Sequence, residues 1–317
     1  MAAMTLIEAA KVYISNGEDV RGAVVQMFGE SNNVMRYLPF TDINGGALNY
    51  AQEGSLPAVA FRGVNESFTA STGVINPIVE PLRIAGGEVD VDSFIIDTMG
   101  EEARSVHEAM KIKAITQDFQ RVFFKGDNAT TPAEPDGLQN RLTGDQVISN
   151  ASGSPLAAAA LSLAKLDEAI DAVANPTHIF MSKALKRRLS AAARSSSVAG
   201  NIQMGLDQFG ASVMLYNGIP VVEIADASGK DTVLTFTETA SVGSPAATTC
   251  TSIYVVSLMP GMLTGIQSAG GMQVTDLGLI EASPLYRTRV QWYASFCLLH
   301  GRAAARLRDI IDGAVTA

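Results

Sequence analysis

The segment EEARSVHEAMKIKAITQDFQRVFFKGD, residues 101–127, runs without glycine or proline as far as Gly126. Its apolar residues recur at helical spacing, and its first turn carries two glutamates, which favour the positive end of a helix dipole. One long amphipathic helix is therefore predicted over residues 101–125, with Gly126 as its end. The predicted buried stripe consists of Ile112, Ile115, Phe119, Val122 and Phe123.

The chain before this helix has a different character. Residues 39–100 are rich in Gly, Pro, Asn, Ser and Thr, and their large apolar residues are too scattered to form a core. Short strands are predicted at residues 47–53, 59–62 and 88–96, and in the last of them Glu88, Asp90 and Asp92 alternate with apolar positions. A two-stranded segment is only marginally stable by itself, so we expect this segment to be functional or to bind something else. A plain surface loop is the alternative.

The chain after the helix alternates between helical and strand signals, which predicts a compact α/β region over residues 154–271. Ser182 is a good N-cap, and Asn217-Gly218 is typical of a tight turn. The predicted elements are a helix at 155–174, a strand at 178–181, a helix from Ser182 to about Arg194, strands at 214–216 and 219–224, and a buried strand at 253–258.

The two ends of the chain add a strand and a short helix. In residues 286–298 the even positions read Tyr, Thr, Val, Trp, Ala, Phe and Leu, whereas Arg287 and Arg289 stand at odd positions. This alternation predicts a long strand with one buried face. Residues 19–28 carry the apolar spacing of a short amphipathic helix on an N-terminal arm.

Composition narrows the function classes. The 317 residues carry a net charge of −9 and are 47% hydrophobic, which suits a packed core and disfavours tight DNA binding. The start of the chain has no basic leader, and no apolar stretch is long enough to span a membrane. Cys250 and Cys297 are expected to be buried, reduced thiols.

Motifs of catalysis and cofactor binding are absent from the sequence. It has no phosphate loop, dinucleotide fingerprint, GxSxG elbow or HExxH motif, and its three histidines lack metal-ligand spacing. The carboxylates of residues 88–97 suggest a solvated acidic face more than a cation site. The basic residues of 183–194 have no interleaved aromatic residues and indicate a solvated or subunit-contacting face. No enzyme activity, cofactor or metal is expected.

The order of these parts resembles a known family. Residues 38–66 (LPFTDINGGALNYAQEGSLPAVAFRGVNE) and 69–94 (TASTGVINPIVEPLRIAGGEVDVDSF) are similar to the extended loop of tailed-phage major capsid proteins of the Hong Kong 97 fold. FFKGD (123–127), DGLQNRLTG (136–144) and NGIPVVE (217–223) resemble its later segments. Each motif is weak, but their collinear order over about residues 19–310 is specific.

This resemblance implies an α+β capsid fold in four parts. They would be an N-terminal arm (1–37), an extended loop (38–86), a peripheral domain with a spine helix (87–136 and 272–317) and an axial domain (137–271). The loop's apolar residues would then bury against a neighbouring copy, so stability would belong to the assembly. These residues are Leu48, Tyr50, Val59, Phe61 and Phe68.

The resemblance also implies a function and partners. The chain would assemble as hexamers and pentamers into the icosahedral head around double-stranded phage DNA, which it would face without specific binding. A portal protein at one vertex and a decoration protein are further implied partners, with assembly in the host cytoplasm and the virion as destination. A short N-terminal segment precedes the first predicted helix, so a separate scaffolding protein is expected instead of a cleaved extension.

Charge suggests how neighbouring copies meet. Residues 40–100 contain eight acids and two arginines, a local charge of −6, whereas residues 287–308 contain five arginines and no acid. The resemblance implies that the extended loop lies across a neighbour's peripheral domain, where these arginines would be, so acid–arginine pairs between subunits are expected, aligning apolar contacts from Phe61 and Phe68. The candidate contact residues are Phe61, Arg62, Phe68, Glu88, Asp90, Asp92, Arg287 and Arg289.

Two alternative functions are compatible with the sequence. An encapsulin-type shell would share the fold but enclose proteins, because fold alone does not fix function. A soluble α/β enzyme with an unrecognised site is the other, and it would form only a small oligomer.

Overall fold

The computed structural model describes residues 4–5, 33–99, 101–194, 202–206, 212–225, 231–243, 246–281 and 283–316. The helix predicted at residues 19–28 lies outside these ranges. The helices are α1 Asn33–Tyr37, α2 Ser93–Met99, α3 Glu101–Lys125, α4 Leu138–Arg141, α5 Leu163–Asp171 and α6 Lys183–Ala192, with a 3-10 turn at Gly144–Gln146. The strands are β1 Met4–Thr5, β2 Pro39–Ile43, β3 Ala47–Ser55, β4 Val74–Pro81, β5 Arg83–Asp92, β6 Val147–Ser149, β7 His178–Ser182, β8 Ile202–Leu206, β9 Ser212–Tyr216, β10 Ile219–Ile224, β11 Cys250–Val256, β12 Leu263–Leu279, β13 Leu285–Leu298 and β14 Ala304–Ile311.

The five-stranded sheet has the order β1-β2-β12-β13-β5 and carries the long helix α3. Strands β12 and β13 form a long antiparallel ribbon, and β5 pairs antiparallel with β13 along its whole length. The predicted bounds of α3 and its buried stripe are confirmed, with Phe119 packed 4.9 Å from Trp292, centroid to centroid. The buried even face predicted for β13 is also confirmed, from Thr288 to Phe296.

The seven-stranded sheet has the order β6-β14-β11-β7-β10-β9-β8 and carries α5 and α6. Its strand β11 is buried at every residue, as the uninterrupted apolar run predicts. The Ser182 side chain accepts a hydrogen bond from Leu185 N (3.2 Å), which confirms the predicted cap of α6. Asn217 and Gly218 have φ of 48° and 81°, the backbone that a tight β-hairpin turn requires.

A shared apolar core joins the two sheets. The ring centroid of Phe124 in α3 lies 5.1 Å from that of Tyr254 in β11 and 5.7 Å from that of Phe180 in β7. The same apolar cluster contains Trp292 and Phe296 of β13. The long helix thus packs on both sheets. This arrangement of helices and segregated sheets is the α+β class expected from the sequence.

Three local predictions are wrong. Residues 155–162 are not helical, because Ala159 bridges to Ile310 and extends the edge of the sheet before α5 begins. Residues 59–62 form no strand. Residues 93–96 belong to α2 and not to the preceding strand, since the Asp92 carboxylate accepts a hydrogen bond from Phe94 N (2.8 Å) and caps the helix.

The strands of the two sheets cross the expected boundaries between segments. Within residues 272–317, expected to join residues 87–136 in one domain, β13 belongs to the five-stranded sheet, whereas β14 lies between β6 and β11 of the seven-stranded sheet. Likewise β12 starts at Leu263, inside the expected 137–271 segment, but pairs with β13.

In the described part of the chain, no helix is long and apolar enough to cross a membrane. Cys250 and Cys297 are buried free thiols, as expected.

Candidate assembly surface

A two-stranded hairpin leaves the body of the molecule and ends in an exposed tip. Strands β3 and β4 pair antiparallel from Ala47↔Pro81 to Ser55↔Val74, and residues 56–73 form the tip between them. The Phe61 side chain in the tip is fully exposed to solvent, and the other large apolar side chains of the tip are at least 67% exposed. Several large apolar side chains exposed within one short segment are typical of an interaction site. The exposed apolar tip residues are Leu56, Val59, Phe61, Val64 and Phe68.

Local hydrogen bonds shape the tip. The Arg62 guanidinium donates to Glu66 O (3.0 Å) and lies over the Phe68 ring, 5.2 Å from its centroid. The Glu66 carboxylate accepts from Gly63 N (2.8 Å). These contacts order the turn and leave the Phe61 ring open to solvent. Arg62 and Phe68, two of the predicted contact residues, therefore form one compact cation–π unit beside Phe61.

The base of the hairpin packs on its own chain. Leu48 and Tyr50, expected to bury against a neighbour, instead pack on a cluster of Ile43, Ile266 and Cys297. Burial, the largest cause, raises the pKa of Tyr50 to about 12. This corrects the sequence expectation for these two residues, because β2 and β12 bring apolar side chains to the place where the hairpin starts. The apolar residues of the tip, by contrast, are exposed.

The acidic and basic candidates also meet within one chain. Arg287 donates to both carboxylate oxygens of Asp90 (2.7 Å each) and lies 3.0 Å from Glu88, while Arg289 Nε donates to Glu88 (2.9 Å). The pairs expected between subunits are therefore formed inside the subunit, since β5 and β13 place Arg287 opposite Asp90 and Arg289 opposite Glu88. The Arg287 hydrogen bond lowers the pKa of Asp90. Asp92 takes no part, because it caps α2.

Possible metal ligands and the charged residues of helix α6 are two further features of the sequence. Among the described residues, no group of three or more His, Cys, Asp or Glu side chains is placed to hold a metal ion. On the basic helix α6, Lys186 pairs with Glu223 (3.2 Å) and Arg188 with Asp312 (2.7 Å), so both side chains already have partners in the chain.

Comparison with known proteins gives one family match. The sequence model of the family Major capsid protein GP7 matches residues 16–159, which cover the hairpin, the long helix and α4. No curated protein matches the chain.

Solved structures share the fold along most of the chain. The encapsulin of the holo-SrpI complex from Synechococcus elongatus is 18% identical, with TM-score 0.62, covering 90% of this chain and 89% of that one. A structure from Mycobacterium phage Bobi is 13% identical, with TM-score 0.58, covering 89% and 91%. The capsid of a native GTA particle is 12% identical, with TM-score 0.57, covering 89% and 90%.

These likenesses extend beyond the family match to the second sheet and the C-terminal strands. Identities this low establish the fold alone, and the family match concerns residues 16–159. Residues 16–159 are thus similar to a major capsid protein family, and the chain has the Hong Kong 97 fold expected from its sequence.

Proposed function

We propose that the chain forms hexamers and pentamers that close into the icosahedral head of a phage, with the hairpin tip of each copy docked on the next. The observation that carries this proposal is the apolar tip around Phe61, which is exposed among the described residues of the chain. Burying a large apolar side chain is worth about 1.5–3 kcal/mol, so the tip gains most by docking on another surface. Repetition at every contact makes a weak single contact sufficient for a stable shell.

The proposed content of the shell is double-stranded DNA. The net charge of −9 supports a wall that faces DNA without binding it tightly, because fixed phosphates would hinder entry and exit of the genome. A separate scaffolding protein, a portal protein at one vertex and a decoration protein are the proposed partners. Assembly would take place in the host cytoplasm, the virion is the proposed location, and we propose no enzyme activity.

The proposed parts follow the two sheets. The hairpin would be the extended loop, the five-stranded sheet with α3 the peripheral domain, and the seven-stranded sheet the axial domain that surrounds the local symmetry axis. Residues 1–37 remain the proposed N-terminal arm.

Co-expression with the neighbouring scaffold gene tests assembly. Closed shells are expected by negative-stain microscopy and by elution in the void volume of a size-exclusion column. Phe61→Asp should abolish them because it places a charge in the proposed contact, whereas Phe61→Leu, which stays apolar, should retain them. A small oligomer from the unsubstituted chain would contradict the proposal and favour the enzyme alternative.

An encapsulin-type compartment is the second candidate. It is favoured by the encapsulin likeness, whose TM-score of 0.62 is above those of the phage and GTA structures described above. The content of purified particles separates the two. A DNA-filled head requires nuclease-protected DNA in particles from an infected host, whereas a compartment requires a protein cargo and closes without a scaffold.

A further inference from the structure

A buried ion pair joins the hairpin to the body. Glu80 lies near the end of β4 and is only 7% exposed. Its two carboxylate oxygens accept hydrogen bonds from Nη1 and Nη2 of Arg141, each 2.7 Å long. The Ser295 hydroxyl of β13 donates a third bond (3.1 Å). Two-pronged contacts of this type fix direction as well as distance.

The arginine end of this pair is held firmly in the body. Arg141 ends helix α4, its Nε donates to Asp136 O (2.5 Å), and its guanidinium lies 4.5 Å from the centroid of the buried Phe296 ring. The guanidinium is thus fixed by contacts that do not involve the hairpin. It offers Glu80 a pre-oriented partner.

Beside the ion pair, part of the space between the hairpin and the body is open, although Leu48 and Tyr50 pack on the body at the hairpin base. A cavity of about 300 Å³ lies between them, lined by Tyr50, Gln52 and Ile78 on the hairpin side. Across it, the Gln52 side-chain amide donates to Leu298 O (2.5 Å). On this side of the base, the contacts between hairpin and body are therefore polar. The body side of the cavity is formed by Arg141, Leu142, Thr143, Gln146, Leu298, His300 and Gly301.

We propose that the Glu80–Arg141 ion pair sets the direction in which the hairpin leaves the body, and so places the tip for the next copy. Both are positioning residues, since neither belongs to the exposed tip. Buried ion pairs often add little net stability but favour one arrangement over others. The role in assembly rests on the proposed function, whereas the effect on the hairpin angle does not.

The angle can be measured on the unassembled subunit by the distance between two spin labels. Ala60→Cys in the tip and Lys113→Cys on the exposed side of α3 provide the label positions. The native thiols should react slowly, because burial raises the pKa of Cys250 and raises that of Cys297 to about 12. A narrow distance distribution is expected for the otherwise unsubstituted chain.

Glu80→Gln keeps the shape but removes the charge, and should widen that distribution at least twofold. Arg141→Lys, which keeps charge but loses the two-pronged contact, should widen it less. Glu53→Gln, an exposed glutamate of the same hairpin, is the matched control and should change nothing. Circular dichroism checks that each variant is folded.

Shell yield is then measured by size exclusion after co-expression with the scaffold. A fall of roughly tenfold in Glu80→Gln, with Glu53→Gln unchanged, supports the positioning role, since tenfold is a modest 1.4 kcal/mol. An unchanged distance distribution in folded Glu80→Gln overturns the proposal, and so does a widened one with normal shells. If the unsubstituted chain forms no shell, the proposed function fails, while the spin-label distances still test the ion pair's effect on the hairpin angle.

Discussion

Arg287 of β13 and Asp90 of β5 lie directly opposite each other in neighbouring antiparallel strands, joined by two hydrogen bonds of 2.7 Å. The edge strand β5, which leads from the hairpin into α2, is therefore fastened to the sheet by charge as well as by backbone pairing. Arg289 and Glu88 repeat the arrangement two residues along. The pairs thus act first on the subunit itself.

Reversing the arginine charge should weaken β5 pairing. Arg287→Glu would place like charges opposite each other, and directly opposed like charges are destabilising. We expect a lower melting temperature by circular dichroism, partly restored when Asp90→Arg is added. A double variant no more stable than Arg287→Glu alone would show that the cross-strand pair contributes nothing.

Acid should remove part of this stability. The hydrogen bond from Arg287 lowers the pKa of Asp90, and that from Arg104 lowers the pKa of Asp276. The pKa values of these two carboxyl groups are therefore lower in the folded than in the unfolded chain. Their contribution to the free energy of unfolding is complete above the ordinary pKa of about 4 and is lost as the pH falls through the folded-state pKa values. Urea unfolding at stepped pH should show the loss below about pH 4, less steeply in Asp90→Asn.

Shells should contain no isopeptide cross-links between subunits. The chain has no lysine between Lys11 and Lys111, so the hairpin offers no amine for such a bond. Particles boiled in detergent should release monomer at the sequence mass of 33.3 kDa. A ladder of covalent multimers on the gel would contradict the expectation.

The isolated subunit should bind DNA weakly. Its net charge is −9, and binding that depends on a small number of exposed cations is lost as salt rises. Fluorescence anisotropy with a labelled duplex should show little binding at physiological salt. Nanomolar affinity under those conditions would contradict a wall that only faces the genome.

Local sequence patterns were sufficient to predict the elements whose apolar residues recur with one clear periodicity. The stripe from Ile112 to Phe123 and the alternation through Trp292 each follow from one face that must be buried, so α3 and β13 could be predicted. The segment before α5 could not, because its alanine-rich helical propensity is overridden by the bridge between Ala159 and Ile310.

Long-range pairing was the part that the sequence did not reveal. An apolar run such as β14 predicts a strand but not the sheet that receives it. The excess of acids before α3 and of arginines near the C-terminus indicated pairing, yet only strand order shows that Asp90 meets Arg287 in the same chain. Glu80 and Arg141 are 61 residues apart, and no local pattern links them.

The most direct test of hairpin docking is a photo-crosslink from the tip in assembled particles. A benzoylphenylalanine in place of Phe61 would be irradiated in shells built from a mixture of isotope-labelled and unlabelled chains, and the linked peptides identified by mass spectrometry. Docking on the next copy predicts mixed-isotope crosslinks from position 61 to one defined surface of a second chain. Docking would be contradicted if every crosslink joined two peptides with the same isotope label, as crosslinks within one chain do. It would also be contradicted if well-formed shells gave no crosslink from position 61.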